Sequence, residues 1–405
     1  MNLLSVAEAR ERILSHMQAV GPETLPLADC AERVLAEGIA APTDLPLFDN
    51  SSMDGFAVRS ADLADGARLR VIGDIPAGSN PSMIVGSGEA ARIMTGAPLP
   101  SGADSVIPVE DTDFQSRQAG SPAPETVTAQ RRVAAGENVR RRGSDLRAGQ
   151  VVLKAGHLLR PQDLGLLAML GRARVPVFRR PRIALLSSGD ELLPVEAELE
   201  PGKIHDSNSY VLAALIGRSG AELIPLGVAG DRREWVHALL EKAAGTNADL
   251  ILSSAGVSVG AFDFVKEVVD SHGQLDFWRV NMRPGKPLAF GQYRGVPFIG
   301  LPGNPISAFV GFEVFVRPAI ERLGGQAVSK RQTVRARLGE EVSSDGRESY
   351  LRGELREENG SLVAYLSGHQ GSANMPALVR ANALLIIPAG VKSAPAGWEV
   401  EAWLL

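Results

Sequence analysis

The chain has 405 residues, of which 44% are hydrophobic and 22% are charged. These values are typical of a soluble globular protein and exclude a disordered chain, a collagen or a coiled coil. At roughly 150 residues per domain, the length predicts two to four domains. The net charge of −5 excludes a general attraction to nucleic acid or to anionic lipid. The single cysteine, Cys30, excludes a disulfide framework or a cysteine-ligated metal centre within one chain, and it fits a cytoplasmic location.

No membrane association is expected. The first residues lack the basic start and the apolar core of a signal peptide. Residues 296–316 approach the length of a transmembrane helix and contain one charge, Glu313. Prolines at positions 297, 302 and 305 interrupt this stretch, so a buried strand, a tight turn and a buried helix are expected instead.

The N-terminal part of the chain is predicted to contain a helix followed by a β-rich module. Ser5 and Glu8 form a capping-box pattern ahead of apolar residues at helical spacing. A second, short helix is expected over residues 31–36. Between residues 57 and 113, short apolar runs separated by Gly and Pro indicate β-strands. Residues 131–147 contain six arginines against two acidic residues, the one basic patch of an acidic chain.

From residue 182, apolar runs alternate with helical segments, which indicates a parallel, doubly wound α/β sheet covered on both faces. Such sheets bind ligands beyond the carboxyl ends of their strands, so the loops after these strands are the candidate sites. After Gly325 helices are expected to stop, and a C-terminal β domain follows. The predicted strands are 182–187, 221–228, 249–254 and 296–302, and the predicted helices are Tyr210–Arg218, Glu234–Ala244, Phe264–Ser271 and Pro305–Leu323.

Acidic residues follow three of these strands. Asp190 and Glu191 stand directly after the first strand, where they would coordinate a cation or form an ordinary acidic helix N-terminus. Asp231 precedes a helix in a capping-box pattern with Glu234, and Asp263 also precedes a helix, so both side chains have a capping interpretation.

Two loops and one turn have the composition of anion sites. The small-residue loop 253–263 offers backbone N–H groups, with Gly256 free to adopt a positive φ. The basic turn, residues 277–287, would aim Arg279, Arg283 and Lys286 at a polyanion or leave them solvated. The LPGNP turn, residues 301–305, is predicted to open a helix, whose free N–H groups bind anions. Because the Rossmann and Walker fingerprints are missing, a nicotinamide or ATP enzyme is disfavoured.

Two further features complete the candidate residues. Asp54 and Thr95 stand in or beside the β-rich module and would reach into a site. The six histidines are scattered without the spacing of a helical metal site, so a transition metal held by the protein is not expected. If the protein handles such a metal, something other than the protein must hold it.

Eight collinear motifs resemble those of the molybdopterin molybdenumtransferases, the family of bacterial MoeA and the gephyrin E domain. The resemblance extends from end to end, and its specificity comes from the order of the motifs rather than from any one of them. One departure is Ala255, which stands where the family usually has a second glycine. The motifs are DNSSMDGFAV, TGAPLP, NVRRRGSD, SSGDEL, GVSVGAFDFVK, RPGKPLAFG, LPGNPISA and HQGSA.

The resemblance implies a multidomain α/β plus β architecture. Residues 1–53 with 145–180 would form an elongated N-terminal domain, and residues 54–144 a β-rich domain inserted into it. Residues 181–325 would form the α/β molybdopterin-binding domain, and residues 326–405 a C-terminal β-barrel-like domain. It also implies a cytoplasmic homodimer that receives its substrate from a molybdopterin adenylyltransferase.

The implied reaction inserts molybdate into adenylylated molybdopterin with Mg²⁺-dependent release of AMP. The dithiolene of the substrate, rather than a cysteine, would hold the metal. A non-catalytic molybdopterin-binding scaffold and a tungstate-inserting homologue are the alternatives. The resemblance implies catalytic roles for Asp54, Thr95, Glu191, Asp231 and Asp263, with Glu191, Asp231 and Asp263 as Mg²⁺ ligands. The implied substrate-binding residues are Ser254, Gly256, Ser258, Arg279, Arg283, Lys286, Pro302, Gly303, Asn304, Pro305 and Ser372.

Overall fold

The computed structural model describes residues 3–114, 121–254, 264–328 and 331–405. The first helix begins with the predicted capping box, because the Ser5 hydroxyl accepts from the Glu8 N–H at 3.2 Å and the Glu8 carboxylate accepts from the Ser5 N–H at 2.8 Å. The helices are α1 Val6–Ser15, α2 Pro161–Met169, α3 Ser207–Arg218, α4 Arg233–Ala244, α5 Phe264–His272, α6 Pro305–Gly311, α7 Arg317–Leu323 and α8 Met375–Arg380, and a π-helical turn, Phe312–Val316, joins α6 to α7.

Strands occur along the whole described chain. Up to the start of the α/β sheet they are β1 Pro22–Pro26, β2 Ile39–Ala40, β3 Asn50–Ser51, β4 Gly55–Val58, β5 Arg68–Ile75, β6 Glu89–Ile93, β7 Ser105–Pro108, β8 Thr126–Thr128, β9 Val139–Arg140, β10 Val151–Leu153 and β11 Arg174–Phe178. The later strands are β12 Arg182–Ser188, β13 Leu192–Leu193, β14 Ile204–His205, β15 Glu222–Ala229, β16 Leu250–Ser254, β17 Gly273–Arg279, β18 Met282–Arg283, β19 Pro287–Tyr293, β20 Val296–Leu301, β21 Thr333–Leu338, β22 Val342–Ser343, β23 Glu348–Glu358, β24 Ser361–Leu366, β25 Ala383–Ile387, β26 Ser393–Ala394 and β27 Glu399–Leu404.

The described chain forms two compact units. The first contains Met1–Glu37, Ala155–Ala168 and Arg172–Leu405, and the second contains Gly38–Lys154 and Met169–Gly171. The second unit is built on a five-stranded sheet in the order β7–β4–β6–β5–β8, as the β-rich pattern predicts. The four domain boundaries implied by the resemblance remain a prediction.

The prediction of a short helix over residues 31–36 is wrong. A 3₁₀ turn covers Leu27–Asp29 instead, and Val34 and Leu35 form isolated β-bridges with Leu158 and Val177. Pairing with distant segments of the chain therefore overrides a local pattern that is compatible with a helix.

The α/β sheet of the first unit has the order β15–β12–β16–β20–β19–β17. The four strands that the sequence predicts, β15, β12, β16 and β20, are parallel as expected. The two strands that were not predicted, β19 and β17, are antiparallel and form one edge of the sheet. The antiparallel pairing at this edge follows from the short connection between β19 and β20. Arg294 and Gly295, with φ of 48° and 81°, form a two-residue turn between β19 and β20, and such a turn joins only antiparallel strands.

Helices cover both faces of this sheet, as a doubly wound fold requires. Successive residues of β12 point to opposite faces, and each belongs to a different apolar cluster. Ile183 packs in the cluster that contains Leu212 of α3, and Ala184 packs in the cluster that contains Leu240 of α4. The turns at the carboxyl ends of the strands are thus held on a sheet that is buried on both sides.

The C-terminal strands close into a five-stranded barrel. The order β23–β24–β21–β27–β25 returns to β23, and β18 pairs alongside β23. The prediction that helices stop after Gly325 is wrong, because α8 follows β24. Asn374 caps α8 by accepting from the Ala377 N–H at 3.4 Å, and a proline stands in its first turn, so the start signal was present in the sequence.

The long apolar stretch of residues 296–316 forms β20, a turn and a buried helix, as predicted. Within the ranges that the structure describes, no helix is long and apolar enough to cross a membrane.

The close packing of β17 against β19 leaves no room for a side chain at Gly291. A Cβ atom there would lie 2.1 Å from the Gln274 carbonyl oxygen across the β17–β19 pair. We expect Gly291→Ala to lower the free energy of unfolding by about 1–3 kcal/mol. The matched control is Gly165→Ala in α2, where a Cβ meets nothing within 4 Å. That change should raise stability by about 0.5–1 kcal/mol. Urea unfolding of both variants checks the pair, and equal effects would contradict the packing argument.

Candidate functional site

A cleft of about 590 Å³ lies at the carboxyl edge of the α/β sheet. It is formed by segments that follow β12, β16 and β20, which are neighbouring parallel strands. Their register sets Ser187 beside Ser254 and Ser254 beside Leu301, so the three loops leave the sheet at one level. The cleft is lined by Glu191, Leu192, Ile204, His205, Asp206, Ser207, Asn208, Ser254, Pro287, Pro302, Gly303, Asn304, Pro305, Ser307 and Ala373.

Asn208 connects the walls of this cleft. Its side-chain Nδ2 donates to the Ser254 Oγ at 2.9 Å and to the Gly303 carbonyl at 2.7 Å. The residue stands in the first turn of α3, which Asp206 caps by accepting from the Ser209 N–H at 3.1 Å. The sequence analysis missed Asn208 because it started this helix at Tyr210. The signal in the sequence for an earlier helix start was Asp206, the capping residue, followed by small polar residues.

The LPGNP turn opens α6 as predicted. Asn304 occupies the N-cap position and Pro305 the first turn, although the Asn304 side chain makes no capping hydrogen bond. The Ile306 N–H donates to the Ser372 carbonyl at 3.0 Å, so one N–H of the first turn is satisfied by the chain itself. This contact brings Ser372, a predicted binding residue, to the start of the helix beside the cleft.

Three carboxylates form what we call the acidic corner: Asp190, Glu191 and Asp231. The Asp231 N–H donates to the Asp190 carboxylate at 3.0 Å, and the Asp190 N–H lies 3.4 Å from the Asp231 carboxylate. Burial raises the pKa of Asp231 above its usual range, and the neighbouring charges of Asp190 and Glu191 add to this effect. The capping interpretation of Asp231 is wrong, because Arg232 is the N-cap of α4.

The acidic corner suits a cation that is shared with a ligand. Within the described ranges, no three His, Cys, Asp or Glu side chains converge to hold a metal ion by themselves. Mg²⁺, however, is usually bound by one or two carboxylates together with substrate phosphates and water. Burial and the neighbouring carboxylates both raise the pKa of Asp231, and a bound cation would favour its charged form. Asp263, the third predicted ligand, lies outside the described residues, as do Ala255, Gly256 and Ser258.

The basic turn is the connection between β17 and β19. Arg279 ends β17, Arg283 belongs to β18, and the Lys286 carbonyl accepts from the Val280 N–H at 3.0 Å. These three side chains do not line the cleft, but Pro287, which follows Lys286, does. Through β18 the turn is paired with β23 of the barrel.

Arg352 on β23 is a buried cation that the sequence analysis missed. Its side chain is fully buried, and its Nη2 donates to the carbonyls of His369 and Gly371 at 2.9 and 3.1 Å. Its Nε has no hydrogen-bond partner among the described residues. Burial, together with the charge of Arg283, lowers the pKa of Arg352 to about 10. The charge of Arg283 therefore acts on Arg352, whose hydrogen bonds go to the loop that precedes Ser372.

Asp54 and Thr95 meet within the second unit. The Thr95 N–H and hydroxyl both donate to the same Asp54 oxygen at 2.7 Å. These two hydrogen bonds hold the pKa of Asp54 below its usual range, so its exposed carboxylate is charged at neutral pH.

The fold and this cleft define a multidomain α/β protein with a ligand site at the carboxyl edge of its sheet. Residues 4–171 match the family model of the MoeA N-terminal region (domain I and II). Residues 184–322 match the probable molybdopterin binding domain, and residues 335–405 match the MoeA C-terminal region (domain IV). The chain belongs to the molybdopterin molybdenumtransferase (MoeA) family.

Full-length relatives support this assignment. Molybdopterin molybdenumtransferase 2 of Mycobacterium tuberculosis is 38% identical over 412 residues, covering 98% of this chain and 99% of the relative. The molybdopterin molybdenumtransferase of Haemophilus influenzae is 37% identical over 390 residues, covering 95% and 94%. The crystal structure of a molybdopterin biosynthesis MoeA protein from Pyrococcus horikoshii has a TM-score of 0.85 and 33% identity, covering 100% of this chain and 99% of that one.

The acidic corner predicts that Asp231→Asn stabilises the fold. A carboxyl group whose pKa is raised in the folded state favours folding when protonated and opposes it when ionised. At pH 7 the variant should therefore melt a few degrees above the wild type, and this advantage should shrink as the pH falls toward 4. Thermal unfolding at both pH values checks this. A variant that is less stable at pH 7 would show that the Asp231 charge is compensated.

Proposed function

We propose that this chain is a transferase of molybdenum cofactor biosynthesis that inserts molybdate into adenylylated molybdopterin and releases AMP. The cleft is the observation that carries the proposal, since it lies within residues that match the probable molybdopterin binding domain. Its volume of about 590 Å³ is in the range of small-molecule sites. Its walls combine apolar and polar groups, which suits a pterin attached to phosphates.

The cleft residues would bind and orient the substrate. Asn208 fixes the distance between the Ser254 end of β16 and the Gly303 turn, so the binding loops are organised before the ligand enters. The start of α6 provides the positive end of a helix dipole, which attracts a phosphate group. Glu191, which lines the same cleft, brings the acidic corner next to those phosphates.

Mg²⁺ fits the acidic corner in this scheme. Asp231 and Glu191, with Asp263 as the third ligand that the resemblance implies, would hold the ion, which when bound neutralises charge on the phosphoanhydride. The carboxylates of this corner would also exclude a phosphate from their own position until the cation is present, because like charges repel. Substrate phosphates and cation would therefore bind together.

The cationic residues would bind oxyanions. The charge of Arg283 acts on Arg352, and the buried Nε of Arg352 has no hydrogen-bond partner among the described residues. A phosphate or a molybdate oxyanion would accept charge-assisted hydrogen bonds from such groups. Lys286, in the same turn as Arg283, would add a compact point charge.

Asp54 and Thr95 are proposed to act in catalysis on the family resemblance, and their mutual hydrogen bonds keep the carboxylate ionised. The resemblance also supports a cytoplasmic homodimer that receives its substrate from a molybdopterin adenylyltransferase. A monomer in sedimentation equilibrium at micromolar concentration would contradict the dimer.

Incubation with adenylylated molybdopterin, Mg²⁺ and molybdate tests the function directly. We expect AMP and metallated cofactor to appear in equal amounts, and neither to appear when Mg²⁺ is omitted. A parallel incubation with tungstate measures the preference between two oxyanions of the same shape and charge. A substrate that binds but never releases AMP would overturn the transferase and favour a binding scaffold.

Arg283→Ala and Lys286→Ala should weaken binding of adenylylated molybdopterin by about 10- to 100-fold, because each removes a charge-assisted contact of about 1.5–3 kcal/mol. Arg335→Ala and Lys242→Ala are matched controls, since both side chains are exposed and neither belongs to the basic turn. Fluorescence titration measures affinity, and circular dichroism checks folding. Wild-type affinity in both test variants would place the phosphate site elsewhere.

The Asp263→Asn variant distinguishes a metal-binding role of Asp263 from a helix-capping role. Asn caps a helix about as well as Asp but lacks the charge that Mg²⁺ requires. We expect the variant to fold and to bind substrate, yet to release AMP at least tenfold more slowly at limiting Mg²⁺. Asp270→Asn, an exposed aspartate of α5, is the control. Unchanged AMP release by Asp263→Asn would leave Asp231 and Glu191 as the metal ligands.

A further inference from the structure

The first unit contains a second pocket, of about 500 Å³, which we call the arginine pocket. It lies along the far part of the helix that begins at the cleft. Because a helix rises about 1.5 Å per residue, Pro305 at the cleft and Arg317 at this pocket are separated by roughly 18 Å. The two pockets share no lining residue. The arginine pocket is lined by Glu32, Leu158, Arg180, Gly217, Arg218, Ser219, Gly220, Glu313, Arg317, Glu321, Gln326 and Arg331.

Three arginines of this pocket converge on one buried carboxylate. Glu313 has no exposed side-chain surface, and its oxygens lie 3.2 Å from Arg218, 3.2 Å from Arg317 and 2.9 Å from Arg331. Glu321 forms a further ion pair with Arg317. Among these five side chains the guanidinium groups outnumber the carboxylates, so the cluster has an excess of positive charge.

Arg331 is the arginine at which this excess of positive charge is least compensated. Its side chain is only 14% exposed, and its Nη2 pairs with Glu313, but its Nε has no hydrogen-bond partner in the described part of the chain. Burial lowers its pKa, and the charges of Arg317 and Arg218 lower it further against the opposing effect of Glu313. Buried guanidinium donors without acceptors are destabilising, and an anion that accepts from them would remove that penalty.

We propose that the arginine pocket binds a tetrahedral oxyanion, either free or as the phosphate group of a small metabolite. The planar fork of arginine matches the oxygens of phosphate and sulfate, and several guanidinium groups at one pocket can contact the same ion. The volume of about 500 Å³ exceeds that of the ion itself and leaves room for the rest of a small molecule. This site is separate from the cleft and does not depend on the function proposed there.

Isothermal titration of the full chain with inorganic phosphate tests the proposal. The wild type should bind phosphate saturably, and Arg218→Gln should bind at least tenfold more weakly. Arg218 is the first choice because its side chain is 61% exposed, so its replacement leaves the core intact. Arg331→Gln should have the same effect, and its thermal unfolding shows whether it folds. Arg335→Gln, an exposed arginine of β21, is the matched control and should bind like the wild type.

A second set of titrations identifies the site and the source of the oxyanion. Arg283→Ala, in the basic turn, should keep the saturable phosphate binding that Arg218→Gln weakens. Loss of that binding in Arg283→Ala together with wild-type binding in Arg218→Gln would place the ion at the basic turn and overturn the proposal. Sulfate and molybdate should compete with phosphate if the free ion is recognised, whereas tighter binding of a phosphomonoester than of phosphate would assign a metabolite. Absence of saturable binding below roughly 10 mM phosphate would overturn the proposal. None of these titrations uses the transferase substrates.

Discussion

The parallel register of β12, β16 and β20 is the constraint on which the candidate site depends. It places the carboxyl ends of three buried strands at one level, so loops that are far apart in the chain meet at one edge. Asn208 then ties two of these loops together through its single side-chain nitrogen. The sheet and the Asn208 amide together hold the loops that line the cleft in place, so these loops are ordered before a ligand binds.

The charges near the cleft are unbalanced in two places: negative charge is in excess at the acidic corner, and positive charge is in excess at Arg352. At the acidic corner, burial raises the pKa of Asp231, and the two further carboxylates beside it add to this effect. At Arg352 the opposite holds, since burial lowers the pKa of its guanidinium and the charge of Arg283 adds to this effect. Each arrangement costs stability in the free protein, and each is relieved by a partner of opposite charge. A ligand that brings both a bound cation and phosphate oxygens satisfies both places.

Local signals account for what the sequence predicted correctly. The Ser5–Glu8 capping box, the Pro305 helix start and the apolar runs of β12 and β16 each depend on neighbouring residues. What the sequence missed depends on distant ones. Asn208 acts on Gly303, 95 positions away, and Arg352 is buried only because the barrel closes around β23. For Asp231 the sequence left a capping alternative open, because a capping box and a site carboxylate have the same local pattern.

The π-helical turn explains why Glu313 needs its arginines. All five residues of the turn, Phe312–Val316, are buried, so a carboxylate placed there cannot turn toward water as it would on one face of an α-helix. Three guanidinium groups surround it instead. Buried ion pairs of this kind generally stabilise a fold no better than apolar residues of the same volume. Stability alone therefore does not account for a cluster whose cations exceed its anions, whereas the binding of an anion does.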